Sequence, residues 1–148
     1  MWKYQAFLDI TSDTPVISMG EGSTPLVRSR SLEKKLMCGE LYFKLEGCNP
    51  TGSFKDRGMV VAVSKAIEAD SKAIICASTG NTSASAAAYG AYCGLTTVVL
   101  VPAGNVAPGK MAQAKAFGAR IMPVRGTFDE ALQLVRSFAE SHPITLVN

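Results

Sequence analysis

The sequence has few of the residues that build metal sites and disulfide frameworks. It contains one histidine, His142, and four cysteines, Cys38, Cys48, Cys76 and Cys93, in 148 residues. No two cysteines form a C-x-x-C pair, and one histidine supplies too few nitrogen ligands for a Cys/His zinc site. We therefore expect no metal, and we expect unpaired thiols in a reducing cytoplasm.

Long apolar runs and clusters of one charge are also missing. No apolar stretch reaches transmembrane length, and the opening residues Met-Trp-Lys-Tyr-Gln lack the layout of a signal peptide. The formal charge is only +3, from 15 basic and 12 acidic residues. Neither a membrane nor a nucleic acid is expected as a partner. The length suits one domain with a substantial buried core.

From residue 41 onward, short apolar segments alternate with helical patterns. Strands are expected at 41–45, 73–77, 96–101, 119–124 and 144–147, and helices at 55–69, 84–94, 110–117 and 127–141. This order predicts an α/β fold, an open and mostly parallel twisted sheet with helices on both faces. Ligands of such sheets bind beyond the carboxyl ends of the strands.

The first 40 residues are less regular. Short extended segments are expected at 14–19 and near 26–27, and one or two helical turns at 32–37. We predict an N-terminal arm over 1–40 and a small α/β domain over 41–148. The chain ends at Asn148 just as a strand finishes. We take this as a sign that the chain has been cut.

One lysine stands directly after a turn. The segment N-P-T-G-S-F-K-D-R-G (49–58) places Lys55 on the first turn of a helix, with Ser53 and Asp56 spaced as an S-x-x-D capping pair. The helix dipole disfavours a cation there by about 0.3–1 kcal/mol, and burial would add to this effect. A neutral amine can form a Schiff base with a carbonyl. The alternative is a solvated surface lysine with Asp56 as its neighbour.

A second polar loop precedes the next helix. Its hydrogen-bonding side chains surround Gly80 and are Ser78, Thr79, Asn81, Thr82 and Ser83. The free N–H groups and dipole of a helix N-terminus favour a carboxylate or phosphate. The alternative is a helix cap rich in Ser and Thr, although capping needs only one of them. A reactive lysine and an anion site at one sheet edge suit an amino acid bound as an imine, for which pyridoxal phosphate is the usual cofactor.

Three sequence blocks carry a family resemblance. They are G-E-G-S-T-P-L (20–26), N-P-T-G-S-F-K-D-R-G-M (49–59) and A-S-T-G-N-T-S-A-S-A-A-A-Y (77–89). In this order and spacing they closely resemble threonine synthase, a pyridoxal-phosphate enzyme family that shares its fold with tryptophan synthase β and the serine/threonine dehydratases. The similarity continues through V-P-A-G (101–104) to the end of the chain. It implies the small domain of that fold.

The resemblance also implies where the cofactor is held. Lys55 would bind pyridoxal phosphate as a Schiff base and would shuttle protons after the substrate displaces it. Asn81 corresponds to the asparagine that hydrogen-bonds the phenolic oxygen of the cofactor. Phe54 would line the cofactor pocket.

The family's substrate is O-phospho-L-homoserine, a phosphorylated amino acid. Its α-carboxylate would be held by Ser78, Thr79 and Thr82. Asn148 would help to position its phosphate, and Lys44 is a weaker candidate for that role. The imine acidifies Cα and then Cβ, phosphate leaves from Cγ, and water adds at Cβ to give threonine.

Two parts of the family's site lie downstream of these 148 residues: the glycine-rich loop for the cofactor phosphate and the Ser or Thr that pairs with the pyridine nitrogen. Residues 1–40 are therefore expected to pack on a missing C-terminal domain. The fragment alone is expected neither to bind pyridoxal phosphate tightly nor to turn over. Apolar surface left uncovered would favour a homo-oligomer.

Two other functions remain open at this point. A cysteate synthase would share most of these blocks, whereas the blocks argue against a serine/threonine dehydratase. A non-catalytic domain that binds a small anion or a partner chain is the third possibility. The presence of Lys55 within its flanking block counts against that possibility, because a binding domain has no need of the amine.

Overall fold

The computed structural model describes residues 1–103 and 107–148. Its strands are β1 (Leu26–Arg28), β2 (Tyr42–Lys44), β3 (Ala73–Ala77), β4 (Thr96–Pro102), β5 (Arg120–Val124) and β6 (Ile144–Leu146). Its α-helices are α1 (Arg30–Leu36), α2 (Lys55–Glu68), α3 (Asn81–Tyr92), α4 (Pro108–Ala116) and α5 (Phe128–Ser141). Gly104, the last residue of the V-P-A-G block, lies outside the described residues. Within the described part, no helix is both long and apolar enough to cross a membrane.

The main sheet confirms the predicted α/β class. Its four strands are all parallel and lie in the order β5-β4-β3-β6. Side chains of β3 alternate between two cores: Ile74 and Cys76 pack with α2, α3 and α4, whereas Ile75 and Ala77 pack with α5. Helices therefore cover both faces, and this explains why β3 is apolar without interruption.

The strand predicted at 41–45 exists, but it does not belong to the parallel sheet. It is β2, which pairs antiparallel with β1 in a separate two-stranded sheet, with Leu26 opposite Lys44. All three residues of β2 are exposed. A strand of the main sheet is covered on both faces, and its side chains are correspondingly apolar. The parallel sheet therefore begins at β3, and the expectation of a fifth parallel strand is wrong.

The extended segment predicted at 14–19 forms no strand. Its polar groups bind side chains instead of a neighbouring strand: Thr14 donates to the carboxylate of Glu68, and the backbone N–H of Met19 donates to Glu21 at 3.0 Å. Apolar groups from the same part of the chain pack against the main core, including Trp2 and Ile17. The N-terminal segment thus packs on the α/β domain. Its predicted packing on a further domain remains a prediction.

Helix α3 lies at the centre of the fold and approaches the sheet closely. Residues 83–90 of α3 are all buried. A side chain at Gly90 would overlap the hydroxyl of Thr97 on β4 and would come within 3.1 Å of Ile74 on β3. Small residues on α3 therefore allow the helix backbone to lie against the strands. Because Gly90, near the end of α3, meets the starts of β3 and β4, the N-terminus of α3 lies at the carboxyl edge of the sheet.

We expect Gly90→Ala to destabilise the fold by about 1–3 kcal/mol, because the added methyl group overpacks the contact with Thr97. Gly109→Ala is the matched control, since a Cβ at Gly109 meets no atom of the described residues within 4 Å. The control should leave stability unchanged or raise it by up to about 1 kcal/mol. Denaturant unfolding measures both variants, and equal stabilities would show that the close contact is absent.

Candidate functional site

The order of the main sheet marks one crevice. The chain enters at β3, proceeds outward through β4 to β5, and then returns to β6 on the other side of β3. The strand order therefore reverses between β3 and β6, and open α/β sheets bind ligands at this reversal, beyond the carboxyl ends of the strands. A cleft of about 180 Å³ lies there, lined by Lys55, Gly58, Met59, Ala62, Thr82, Val147 and Asn148.

Lys55 is the first residue of α2, as predicted. Its backbone N–H donates to the hydroxyl of Ser53 at 3.3 Å. Its ammonium lies 5.5 Å from the centre of the Phe54 ring, and within the described residues it makes no hydrogen bond or ion pair. Lys55 is exposed, so the burial considered above is not found in this chain. Phe54 is 56% exposed beside it.

Asp56 has a different role from the one that its spacing predicted. Its carboxylate does not close a capping box with Ser53, and it makes no ion pair with Lys55. It is fully buried and accepts hydrogen bonds from the Thr51 N–H at 2.7 Å, the Thr51 hydroxyl at 2.6 Å and the Ser85 hydroxyl at 2.6 Å. The short side chain turns back into the loop, so the expected S-x-x-D cap is wrong.

The second polar loop divides into two groups of side chains. Ser78 and Ser83 serve the turn itself: the Ser78 hydroxyl accepts from the Gly80 N–H at 3.2 Å, and the Ser83 hydroxyl donates to the Gly80 carbonyl at 2.6 Å. The side chains of the second group are half-buried and make no hydrogen bond to another described residue. They are Thr79, Asn81 and Thr82. Of this loop, only Thr82 lines the cleft with Lys55.

Asn148 joins the ends of β3 and β6. Its side-chain oxygen accepts from the Ala77 N–H at 2.7 Å, which leaves its amide N–H groups directed away from that contact. Lys44 is placed differently. It lies on β2, donates to the Thr24 carbonyl, and is absent from the described residues that line the cleft. The structure thus brings Lys55, Thr82 and Asn148 together and leaves Lys44 on the two-stranded sheet.

Glu21 connects the first sequence block to α3. Only 6% of Glu21 is exposed, and its carboxylate accepts from the Tyr89 hydroxyl at 2.7 Å. The same carboxylate accepts from the Ser18 hydroxyl and the Met19 N–H. Burial and the hydrogen bond to Glu21 raise the pKa of Tyr89 far above its usual value. Tyr89 therefore stays protonated as a donor, and the loop at 20–26 is held against the helix.

Glu46 and Arg57 connect the first block to the lysine block. The two side chains pair through two hydrogen bonds of 2.8 Å, and Glu46 also accepts from Thr24 at 3.0 Å and Asn49 at 2.9 Å. Asn49 in turn accepts from the Gly22 N–H at 2.9 Å. These donors, Arg57 first, lower the pKa of Glu46 to about 2.

Sequence reasoning missed the buried and half-buried polar groups that join the three blocks. Asp56, Glu21, Glu46 and Arg57 all lie inside or beside the quoted motifs, but their patterns resemble ordinary caps and surface charges. A charged residue inside an otherwise apolar or turn-forming block was the available signal. Its partner cannot be read from spacing, because Glu21 and Tyr89 are 68 residues apart.

Because Glu46 pairs with Arg57, the free energy of unfolding should depend on pH. The pKa of Glu46 is about 2 in the folded chain and near 4.5 when unperturbed, so the stabilisation is complete above about pH 4.5 and is lost as the pH falls toward 2. We expect the stability difference between the wild type and Glu46→Gln to narrow over that range in urea denaturation. Arg57→Gln should show a weaker pH dependence than the wild type. A difference that stays constant with pH would contradict this assignment.

Comparison with known proteins places the chain in a family. The sequence profile of the family described as "Pyridoxal-phosphate dependent enzyme" matches residues 17–148. The threonine synthase of Halalkalibacterium halodurans is 56% identical over 99% of this chain and 41% of its own length. That of Methanocaldococcus jannaschii is 50% identical over the whole chain and 36% of its own length. The chain thus spans about two fifths of the curated relatives that it matches.

Solved structures share the fold. Escherichia coli diaminopropionate ammonia lyase in its apo form matches with a TM-score of 0.77 and 17% identity, over 88% of this chain and 41% of that one. A hydrogen sulfide-producing enzyme from Fusobacterium nucleatum matches with a TM-score of 0.65 and 28% identity, over 72% and 34%. The predicted fold class is therefore confirmed by relatives as well as by topology. The chain belongs to the pyridoxal-phosphate dependent enzyme family, whose cofactor is pyridoxal phosphate.

Proposed function

We propose that this chain is the N-terminal part of a threonine synthase that converts O-phospho-L-homoserine and water to L-threonine and phosphate. The supporting observation is the cleft at the reversal of strand order, where Lys55, Thr82 and Asn148 meet. The names of relatives that are 50–56% identical over nearly the whole chain support the same reaction.

The residues present fit pyridoxal phosphate. An aldehyde cofactor needs an accessible amine, and the Lys55 ammonium is exposed in the cleft with no competing carboxylate among the described residues. Polar side chains without described partners stand close by at the start of α3. Lys55 would hold the cofactor, with Asn81 and Phe54 as further contacts. When bound, the cofactor stabilises negative charge on substrate carbons near the amino nitrogen.

The chain's own residues would orient the substrate and move its protons. Thr79 and Thr82, with the N–H groups at the start of α3, suit the substrate carboxylate, and Ser78 adds a hydroxyl at the turn. The amide N–H groups of Asn148 suit the phosphate, because its oxygen is already bound to Ala77. Among the described residues that line the cleft, Lys55 is the one whose side chain can accept a proton and return it at a different carbon.

The remainder of the site and the compartment are also proposals. Relatives are more than twice as long as this chain, so we propose that a C-terminal domain completes the cofactor site and covers the arm at residues 1–40. Without that domain, uncovered apolar side chains would favour a homo-oligomer. Four free cysteines, two of them exposed, suit a reducing cytoplasm.

Replacing the lysine tests the proposal in the complete protein. We expect Lys55→Ala to lower phosphate release from O-phospho-L-homoserine by about 10²–10⁴-fold, because the proton-transferring amine is lost. Lys115→Ala, an exposed lysine on α4, is the matched control and should retain activity. Turnover of O-phosphoserine with sulfite, but not of O-phospho-L-homoserine, would assign a cysteate synthase instead. Unchanged turnover in Lys55→Ala would refute both reactions.

The isolated chain of residues 1–148 should neither retain pyridoxal phosphate through dialysis nor form threonine. The physical reason is that a Schiff base alone is reversible and that no second anchor for the cofactor phosphate is expected here. Absorbance spectra after dialysis and a threonine assay measure the two properties. Threonine formation at a rate near that of the complete protein would show that this chain carries the whole site.

A further inference from the structure

We propose that Asp56 and Ser85 are positioning residues for Lys55. Their hydrogen bond ties the loop that carries the lysine to α3, and so sets the distance between the Lys55 amine and the polar side chains at the start of that helix. The inference rests on the proposed function, since it concerns the same cleft. It assigns a role to two buried side chains that are not among the described residues lining the cleft.

The contact is buried and well formed. Asp56 and Ser85 are both 0% exposed, and the Ser85 hydroxyl donates to Asp56 Oδ1 at 2.6 Å. The other two bonds to the carboxylate come from Thr51, through its N–H at 2.7 Å and its hydroxyl at 2.6 Å. Asp56 therefore holds the turn before Lys55 on one side and α3 on the other.

The chain positions of these residues explain why the contact sets geometry. Asp56 directly follows Lys55 in the first turn of α2. Ser85 lies three residues after Thr82 in α3, and residues three apart share one face of a helix. The hydrogen bond thus joins the first turn of α2 to the second turn of α3, close in sequence to Lys55 and Thr82, two of the residues that line the cleft. Shifts of about 1 Å in such a geometry can slow a reaction by about 10²-fold.

The burial of the Asp56 carboxyl group also demands an explanation. Its described partners are two hydroxyls and one amide, all neutral, and it forms no ion pair within residues 1–103 and 107–148. A buried carboxylate needs all of these donors, because each unmade hydrogen bond to it is costly. These three hydrogen bonds are 2.7, 2.6 and 2.6 Å long, and such short, directional contacts suit a rigid attachment rather than general packing.

Ser85→Ala isolates the link between the helices. The substitution removes one donor and leaves both Thr51 bonds in place, so the loop keeps its own structure. Ser64→Ala is the matched control: Ser64 is a fully buried serine in α2 whose hydroxyl has no hydrogen-bond partner among the described residues. Both variants lose one buried hydroxyl, but only one of them cuts the connection to α3.

The experiment uses the complete protein with pyridoxal phosphate and O-phospho-L-homoserine. Three properties are measured for each variant: borohydride trapping of the cofactor on Lys55 by mass spectrometry, the pH midpoint of the cofactor absorption band, and kcat with KM. We expect Ser85→Ala to label at Lys55, to shift the pH midpoint, and to lower kcat by about ten- to a hundredfold with little change in KM. Ser64→Ala should match the wild type in all three.

Asp56→Asn keeps the test decisive if Ser85→Ala does not fold. An amide at this position can accept from the Thr51 N–H and donate to both hydroxyls once they rotate, so we expect a kcat below that of the wild type, with a shifted pH midpoint. If trapping succeeds at Lys55 but every variant of Ser85 or Asp56 that folds matches Ser64→Ala, the positioning role is wrong and the proposed function stands. If the wild type is not trapped at Lys55, the proposed function fails and the inference fails with it.

Discussion

Buried carboxylates with neutral donors hold the candidate site together. Asp56 accepts from Thr51 and Ser85, and Glu21 accepts from Tyr89, so the lysine loop and the N-terminal loop are both attached to α3. Each carboxylate is almost completely removed from solvent. Removing a donor would leave a buried carboxyl group with an unmade hydrogen bond, which is costly. These contacts therefore fix the positions of the joined segments as well as stabilising them. The segments around the cleft therefore depend on α3 for their placement.

The position of α3 depends in turn on close packing against the sheet. Gly90 permits an approach that a single methyl group would prevent, and the buried residues at 83–88 are all Ala or Ser. The N-terminus of α3 is held at the carboxyl edge of β3, where the strand order reverses and Asn148 lies two residues beyond β6. The crevice thus results from topology, and its polar lining comes from loops that the packing brings to that edge.

Local sequence patterns predicted most of the helices and strands. They failed where contacts between distant residues determine strand pairing or hydrogen-bond partners. β3 and α5 agree closely with expectation, since an uninterrupted apolar run and a Thr127 capping box are local signals. β2 was predicted as a strand, but its pairing with β1 could not be read from three exposed residues. The S-x-x-D spacing at Ser53 and Asp56 wrongly predicted a helix cap, because the Asp56 side chain accepts hydrogen bonds from Thr51 and Ser85 instead.

The sequence alone determined the fold class, the lysine at the start of α2, and the polar loop at the start of α3, because turns, caps and apolar periodicity act over a few neighbouring residues. Tertiary structure alone decided that Lys55, Thr82 and Asn148 share one cleft and that Lys44 lies elsewhere. It also decided which donors satisfy each buried acid, since the partners of Asp56 and Glu21 on α3 are 29 and 68 residues away. Contacts over such distances arise only when the sheet and its helices have packed, and no local pattern encodes them.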